Sequence, residues 1–406
     1  DMKTEERFLK YVQVDTESDP YSETTPSTMK QKDLGKLLVE EMKAIGIEDA
    51  MMDEYGRVYG SIPANTDMAC ESIGFIAHMD TSPDCSGKDV KPRIVKQYDG
   101  SLIVLNEALK VSMEPKEFPA LGQYIGDDLI VTDGTTLLGA DDKAGVAEIM
   151  TMAETLLTHP EIKHGRIAIA FTCDEEVGRG ADDFDLKRFA CDYAYTVDGG
   201  DIDCIDYENF NAAAAVVTVH GKSIHPGSSK NKMVNAILVA YEFHNCLNVF
   251  ENPACTEGYD GFNHMTEING GCEKAVMHYI IRNHDEEKMA HQKAEFENAR
   301  DFLNKKYGYE IIELAISDSY ANMRQCIEKD MRCVDRAKAA MLSLGITPRS
   351  TAIRGGTDGA RLTYDGLNCP NLGTGGANYH GKYEFASIQA MNKITELLVK
   401  IASVEA

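Results

Sequence analysis

At 406 residues the chain is longer than one ordinary core accommodates, which implies two or three domains, and 43% hydrophobic with 26% charged residues is the make-up of a folded globular protein, not a disordered or fibrous one. A formal net charge of −25, from 66 acidic against 41 basic residues, argues against a nucleic-acid backbone or an anionic membrane as partner. The 11 cysteines contain no Cys-x-x-Cys pair, which points to reduced thiols and leaves oxygen and imidazole to hold any metal.

The opening stretch DMKTEERFLKYVQVDT has the spacing of an amphipathic helix, not of a signal peptide, and no run of 18 apolar residues occurs. The expectation is a cytoplasmic protein that does not span a membrane. PYSETTPST reads as a loop, and Leu34, Leu37, Leu38, Met42 and Ile45 mark a helix that Gly46 stops. Short apolar runs then alternate with helical stretches: SIGFIAH, DKAGVAEIMTMAETLLTH, RIAIAFT and DYAYTVDG. That alternation predicts an α/β layer with a mixed, largely parallel sheet.

From about residue 210 the texture changes. FNAAAAVVTVHGKSIHPG reads as a strand, NKMVNAILVAYEFHNCL as a helix, GFNHMTEINGG with EKAVMHYIIRNHD as a hairpin, EEKMAHQKAEFENARDFLNKKYG as a helix and EIIELAISDSY as a strand. The β-α-β-β-α-β order predicts a ferredoxin-like α+β module inserted into the larger domain. The expected division is 1–209, 210–322 and 323–406.

The chemistry clusters where strands end. His78 and Asp80 are two apart on an extended chain, so both face one side, although a capped strand end would explain the pair equally well. Asp141 and Asp142 precede a helix, where an N-cap is the plain alternative. Asp174, Glu175 and Glu176 are consecutive carboxylates after a buried run, costly without a cation, and Asp198 ends another strand. Carboxylates at the C-terminal edge of a parallel sheet fall where open α/β folds place their sites. Histidine and carboxylate ligands without sulfur suit zinc or a neighbouring first-row metal, and one bridging carboxylate permits two ions. Of two adjacent glutamates, one serves as ligand while the other takes a proton. In AIRGGTDGARL, Gly355 and Gly356 let the backbone approach a ligand and Arg354 suits a carboxylate. Arg282 and Asn378 are supporting contacts, or only a strand-face charge and a turn residue. His225 in SIHPGSS reads by itself as a turn histidine.

HMDTSPDCSG, TLLGADDKAG, DEEVG, YTVDGG, HPGSSK, IRGGTDGARL and NYHGKYEF, in this order, resemble the dizinc metallopeptidases of the M20 family, and among them the aminopeptidases that cleave tripeptides. The resemblance runs from the first helix to the last. It implies a zinc-peptidase-like catalytic domain with the inserted module as lid and dimerisation domain, two Zn2+ per subunit, a short peptide as substrate and a homodimer. It also implies that His78, Asp141 and Asp198 hold one metal or the bridge, with Asp141 bridging, and that Glu176 and His380 complete the second. A cis peptide between Asp141 and Asp142, Asp80 as the orienting partner of His78, and Glu175 as general base follow from the same resemblance. So do His225 as the oxyanion donor, often at the other subunit's site, and Arg354 as reader of the peptide's C-terminal carboxylate. Cys173 departs from a frequent proline, and its thiol beside the acidic cluster suggests oxidation sensitivity. The rival readings are a dipeptidase, carboxypeptidase or N-acyl amino acid deacylase of the same fold, in many of which glutamate replaces Asp198, and a non-catalytic peptide-binding protein, which has no need of Glu175.

Overall fold

The computed structural model describes residues 2–405 and divides into two compact units. The first comprises the chain up to Tyr207, Gln325–Ser350 and the residues from Thr357 onward; the second comprises Glu208–Arg324 and Thr351–Gly356. The short return of Thr351–Gly356 departs from the simple three-part division read from sequence. Its strand Ala352–Ile353 pairs in parallel with Glu208–Asn209, so pairing and not chain order decides its place.

The first unit is built on a seven-stranded sheet with Ile73–His78 at its centre, flanked in parallel by Ile167–Thr172 and Tyr193–Val197. Asn371–Leu372 extends the parallel set, while Val58–Ile62 joins antiparallel on the other side. The three central strands are buried along their whole length, which is why they read as unbroken apolar runs: helices cover both faces. On one face Ala140–Thr158 lies against the sheet with Thr4–Tyr11 and Ile388–Ala402. Against the other pack Phe189 and Leu362, in a cluster with Ile76, Ala168, Ala170 and Ala194. Gly145 lets the Ala140–Thr158 helix press onto the end of Tyr193–Val197: a Cβ there would stand 2.1 Å from the Val197 carbonyl oxygen.

A smaller antiparallel sheet in the same unit has the order Gly376–Ala377, Phe385–Ser387, Leu129–Val131, Arg93–Val95. The connection between its first two strands carries residues 378–384. Among the described residues no helix is long and apolar enough to cross a membrane.

The second unit is a four-stranded antiparallel sheet in the order Phe262–Gly270, Lys274–Asn283, Asn211–His220, Ile312–Tyr320. With helices Ala236–Asn245 and Glu286–Tyr307 it has the expected ferredoxin-like sequence of elements. Along Lys274–Asn283 buried residues alternate with half-buried ones, the mark of a sheet covered on one face. Val217, Val219, Met277, Tyr279 and Ile281 meet Phe243, Phe296 and Leu303 of the two helices in its core.

Candidate metal centre

Three parallel strands end at one place. His78 is the last residue of its strand, Glu175 and Glu176 follow Ile167–Thr172, and Asp198 follows Tyr193–Val197. The consecutive acids after Thr172 do not share one direction. Asp174 turns away with φ of 61° and accepts from Ser27 N, Ser27 Oγ and Gln31 Nε2 at 2.8, 2.6 and 2.7 Å. Glu175 and Glu176 instead donate their backbone N–H groups to the Asp80 carboxylate, both at 3.1 Å. Asp80 therefore ties the loop after one strand to the loop after its neighbour. It also lies 3.2 Å from His78 Nδ1, and its carbonyl oxygen lies 2.9 Å from the same nitrogen. A proton held on Nδ1 leaves the Nε2 lone pair facing the carboxylates, the tautomer that a metal ligand requires.

Around His78 Nε2 stand Asp141 Oδ1 at 2.9 Å, Glu175 Oε2 at 3.4 Å, Glu176 Oε1 at 3.6 Å and Asp198 Oδ2 at 3.6 Å. His380 Nε2 lies 2.9 Å from Asp141 Oδ2 and 2.8 Å from Glu176 Oε2. Asp141 thus offers one oxygen to each imidazole, the disposition a bridging carboxylate needs. The Asp141–Asp142 peptide is cis, and neither residue has helical backbone angles. No side chain caps the helix at Gly139, so the N-cap reading of the two aspartates is not realised. Asp142 points inward: its Oδ2 accepts the His78 N–H at 3.2 Å, and its Oδ1 is buried without a hydrogen-bond partner among the described residues.

Among the described residues, two triads centred on His78, with Glu175 and Asp198 or with Asp141 and Glu176, offer ligand atoms within 4.8 Å of one another, as do Asp141, Asp142 and Asp198. Both adjacent glutamates therefore reach the cluster. A fourth group, Asp201, Asp203 and Cys204, is different in kind, because Arg349 Nε lies 2.9 Å from Asp203 and its Nη2 bonds Asp201.

The electrostatics follow from crowding acids in a buried place. Burial, then the charge of neighbouring acids such as Asp198, pushes Glu175 and Asp142 well above the usual carboxylate range. Burial raises Asp198 too, and lifts Glu176 to about 8. Burial would also raise Asp141, but hydrogen bonds with His380 and His78 outweigh it and hold it low. His380, between Asp141 and Glu176, is driven up to about 11. Among the described residues no lysine or arginine pairs with any of these acids. Two imidazoles cannot neutralise this many carboxylates, whereas divalent cations would, and imidazole with carboxylate is the donor set such ions accept.

Three further acids were not singled out from sequence or were read otherwise. Glu384, 1% exposed, accepts the backbone N–H groups of Leu138, Gly139 and Asp141. Asp358 accepts from Thr172 Oγ1 at 2.8 Å, and burial lifts it to about 7. Asp142, noted in sequence as a cap, serves instead the backbone of His78. Glu384 and Asp358 lie inside quoted motifs, but their partners, backbone N–H groups for the one and the Thr172 hydroxyl for the other, are too distant in the chain to leave a spacing to read. Cys173 is fully buried, and burial followed by the charges of Asp80 and Asp174 raises its thiol well above the usual value. A buried, protonated thiol is inert, so the expected oxidation sensitivity has no structural basis.

Asn378 has a φ of 56° and donates from Nδ2 to the Tyr383 carbonyl at 3.1 Å, the work of a turn residue. The remaining candidates belong to the second unit. His225 is exposed and accepts the Gly227 N–H at 3.0 Å. Arg354 spends its terminal nitrogens on the carbonyls of Gly258 and Asp260 and on Thr256 Oγ1, at 2.8, 2.9 and 3.0 Å, beside the rings of Phe210 and Phe262. Arg282 donates to the carbonyls of Ala213 and Ile281 and lies over the Tyr320 ring. A Cβ on Gly355 would meet open space, whereas one on Gly356 would stand 3.0 Å from Tyr320.

A protein named peptidase T from Alkaliphilus oremlandii is 54% identical over 398 residues, 98% of this chain and 97% of its own. The chain belongs to the peptidase T family. It is accordingly a hydrolase of peptide bonds. A family model described as a peptidase dimerisation domain matches residues 207–308. The crystal structure of aminopeptidase PepT from Bacillus cereus superposes with a TM-score of 0.78 at 25% identity, covering 98% of this chain and 97% of that one. A Bacillus subtilis protein described as a dinuclear metal binding peptidase of the M20 family shares the fold, with a TM-score of 0.65 at 13% identity over 98% of this chain and 97% of its own. Peptidase T membership and the M20 peptidase fold thus agree with the resemblance read from the motifs.

Proposed function

We propose that the chain is a dinuclear metalloaminopeptidase that releases the N-terminal residue of tripeptides and works as a cytoplasmic homodimer. His78, Asp141, Glu176, Asp198 and His380 would hold two zinc ions, or other divalent first-row ions, with Asp141 shared. The observation that carries this reading is the set of crowded, half-buried carboxylates around His78 Nε2 and His380 Nε2, with no lysine or arginine partner among the described residues, in a chain of the peptidase T family. The dimerisation-domain match supports the homodimer, and 11 free cysteines suit a reducing compartment.

When bound, a pair of such ions supplies Lewis-acid polarisation of the scissile carbonyl and brings the pKa of water toward neutrality. Glu175 accepts the proton of the attacking water at its carboxylate and returns it to the leaving amine. Asp80 keeps His78 in the tautomer that presents Nε2, and holds the backbone of both glutamates in place. His225 donates to the oxyanion of the tetrahedral intermediate. Arg354, exchanging its present carbonyl partners, would read the far carboxylate and so measure peptide length, with Arg282, Asn378 and the Gly355–Gly356 turn in support.

The test is release of amino acid from a tripeptide, its N-acetyl form and its C-terminal amide, by metal-depleted protein with and without restored zinc. Zinc-dependent cleavage of the free tripeptide from its amino end is expected, with the amide a poorer substrate. Cleavage of the acetylated peptide would make the protein a carboxypeptidase or deacylase, and cleavage of none would leave a peptide-binding protein.

A further inference from the structure

Glu384 is buried in the first unit and touches no cation among the described residues, yet all the hydrogen bonds of its side chain converge on one short stretch of backbone. Its Oε1 accepts the N–H groups of Leu138 and Gly139, each at 2.8 Å, and its Oε2 accepts that of Asp141 at 3.0 Å. These donors belong to the turn that opens the Ala140–Thr158 helix, where N–H groups lack intrahelical partners and no local side chain caps them. A carboxylate accepting three amides makes charge-assisted bonds, stronger than neutral ones.

The other end of Glu384 is equally constrained. It follows His380 by four residues in the connection between Gly376–Ala377 and Phe385–Ser387. Within that connection the Glu384 N–H donates to the Gly381 carbonyl, Thr132 Oγ1 donates to the Lys382 carbonyl, and Asn378 Nδ2 donates to the Tyr383 carbonyl. Phe385–Ser387 is then locked in register against Leu129–Val131. One carboxylate thus joins the segment bearing His380 to the turn bearing Asp141, whose side chains meet at 2.9 Å.

We infer that Glu384 is a positioning residue that sets Asp141 and His380 at the separation a shared ion requires. The inference rests on the metal reading above. Glutamine at this position has one acceptor oxygen for three N–H groups and turns an N–H2 donor toward at least one of them. Aspartate keeps the charge but is one methylene short of the turn.

Full-length wild type, Glu384→Gln and Glu384→Asp, each metal-depleted, are titrated calorimetrically with zinc, with metal-free melting temperature and the kcat and KM for a tripeptide measured alongside. Wild type is expected to take two ions. Glu384→Gln is expected to weaken one of the two steps by about ten- to a hundredfold, as removal of a ligand-supporting partner does. Its kcat should fall with KM little changed. Should Glu384→Gln fail to fold, Glu384→Asp decides, with the same expectation. Unchanged affinity for both ions overturns the inference, and so does a lowered metal-free melting temperature with unchanged affinity, which makes Glu384 a brace of the fold alone. Wild type that takes no zinc overturns the metal reading itself.

Discussion

In the interior of the second unit Asn283 donates to Gln292 Oε1 at 2.8 Å, Gln292 donates to Asn263 Oδ1 at 2.9 Å, and Asn211 donates to the His284 carbonyl at 3.1 Å. At the ends of the parallel strands in the first unit, Asp141, Asp142, Glu175, Glu176 and Asp198 crowd around two imidazoles. Both regions bury polar side chains. The first network is neutral, and its amides are mutual donors and acceptors, so it fixes strand and helix to one another and leaves over only neutral groups such as Asn263 Nδ2, which is buried without a partner among the described residues. The second consists of acceptors that repel one another, and a buried charge is tolerable only when paired. The difference separates a polar core built for packing from one built for a cation.

Removal of divalent ions should break the comparison open most widely. Chelation is expected to reduce tripeptide hydrolysis to background and to lower the melting temperature, because ions that bind only the folded state stabilise it, by about 2.7 kcal/mol at a hundred times Kd. Restored zinc should return both. Replacement of Glu175 comes next. Glu175→Gln is expected to lower kcat by about 10²- to 10⁴-fold with two zinc ions still bound, the loss typical of a missing acid–base group. Loss of an ion instead would make Glu175 a ligand, as its 3.4 Å approach to His78 Nε2 permits.

The neutral network should respond in the opposite sense. Gln292→Leu strands Asn283 and Asn263 without their partner and is expected to cost about 1–3 kcal/mol in urea unfolding, with kcat of the folded protein unchanged. Loss of zinc affinity in this variant would erase the distinction between the two regions.

Glu148 supplies the smallest effect. It lies in the Ala140–Thr158 helix, and both its carboxylate oxygens are buried without a partner among the described residues; burial alone raises it well above 4.5. With the folded pKa above the unfolded one, its contribution is fully present below about pH 4.5 and is lost as pH rises through the folded value. Glu148→Met should therefore gain about 1 kcal/mol over wild type at pH 8 and less at pH 5, on the scale of an unsatisfied buried group. An equal gain at both pH values would show that Glu148 carries no proton in the folded state.

The strands of the first unit were legible because burial on both faces leaves uninterrupted apolar runs, and those of the second because burial on one face leaves alternation. His78, Glu175, Glu176 and Asp198 stood out as polar residues at the ends of such runs. Asp141 and His380 owed their assignment to motif resemblance, and His380 sits between strands of two and three residues, too short to carry a period. Glu384 was invisible because its partners are backbone N–H groups 243 to 246 residues away, which no side-chain pattern records. The return of Thr351–Gly356 to the second unit was hidden for a similar reason, since a two-residue strand pairs by backbone alone. For Arg354 the sequence supplied a donor for a carboxylate, and the fold occupies it with the carbonyls of Gly258 and Asp260.

Diffraction from zinc-loaded crystals, measured on both sides of the zinc absorption edge, tests the shared-carboxylate centre most directly. Two anomalous peaks sharing Asp141 are expected, one beside His78 and Asp198 and the other beside Glu176 and His380. No peak at the ends of the parallel strands in a fully active, zinc-loaded protein would contradict that assignment.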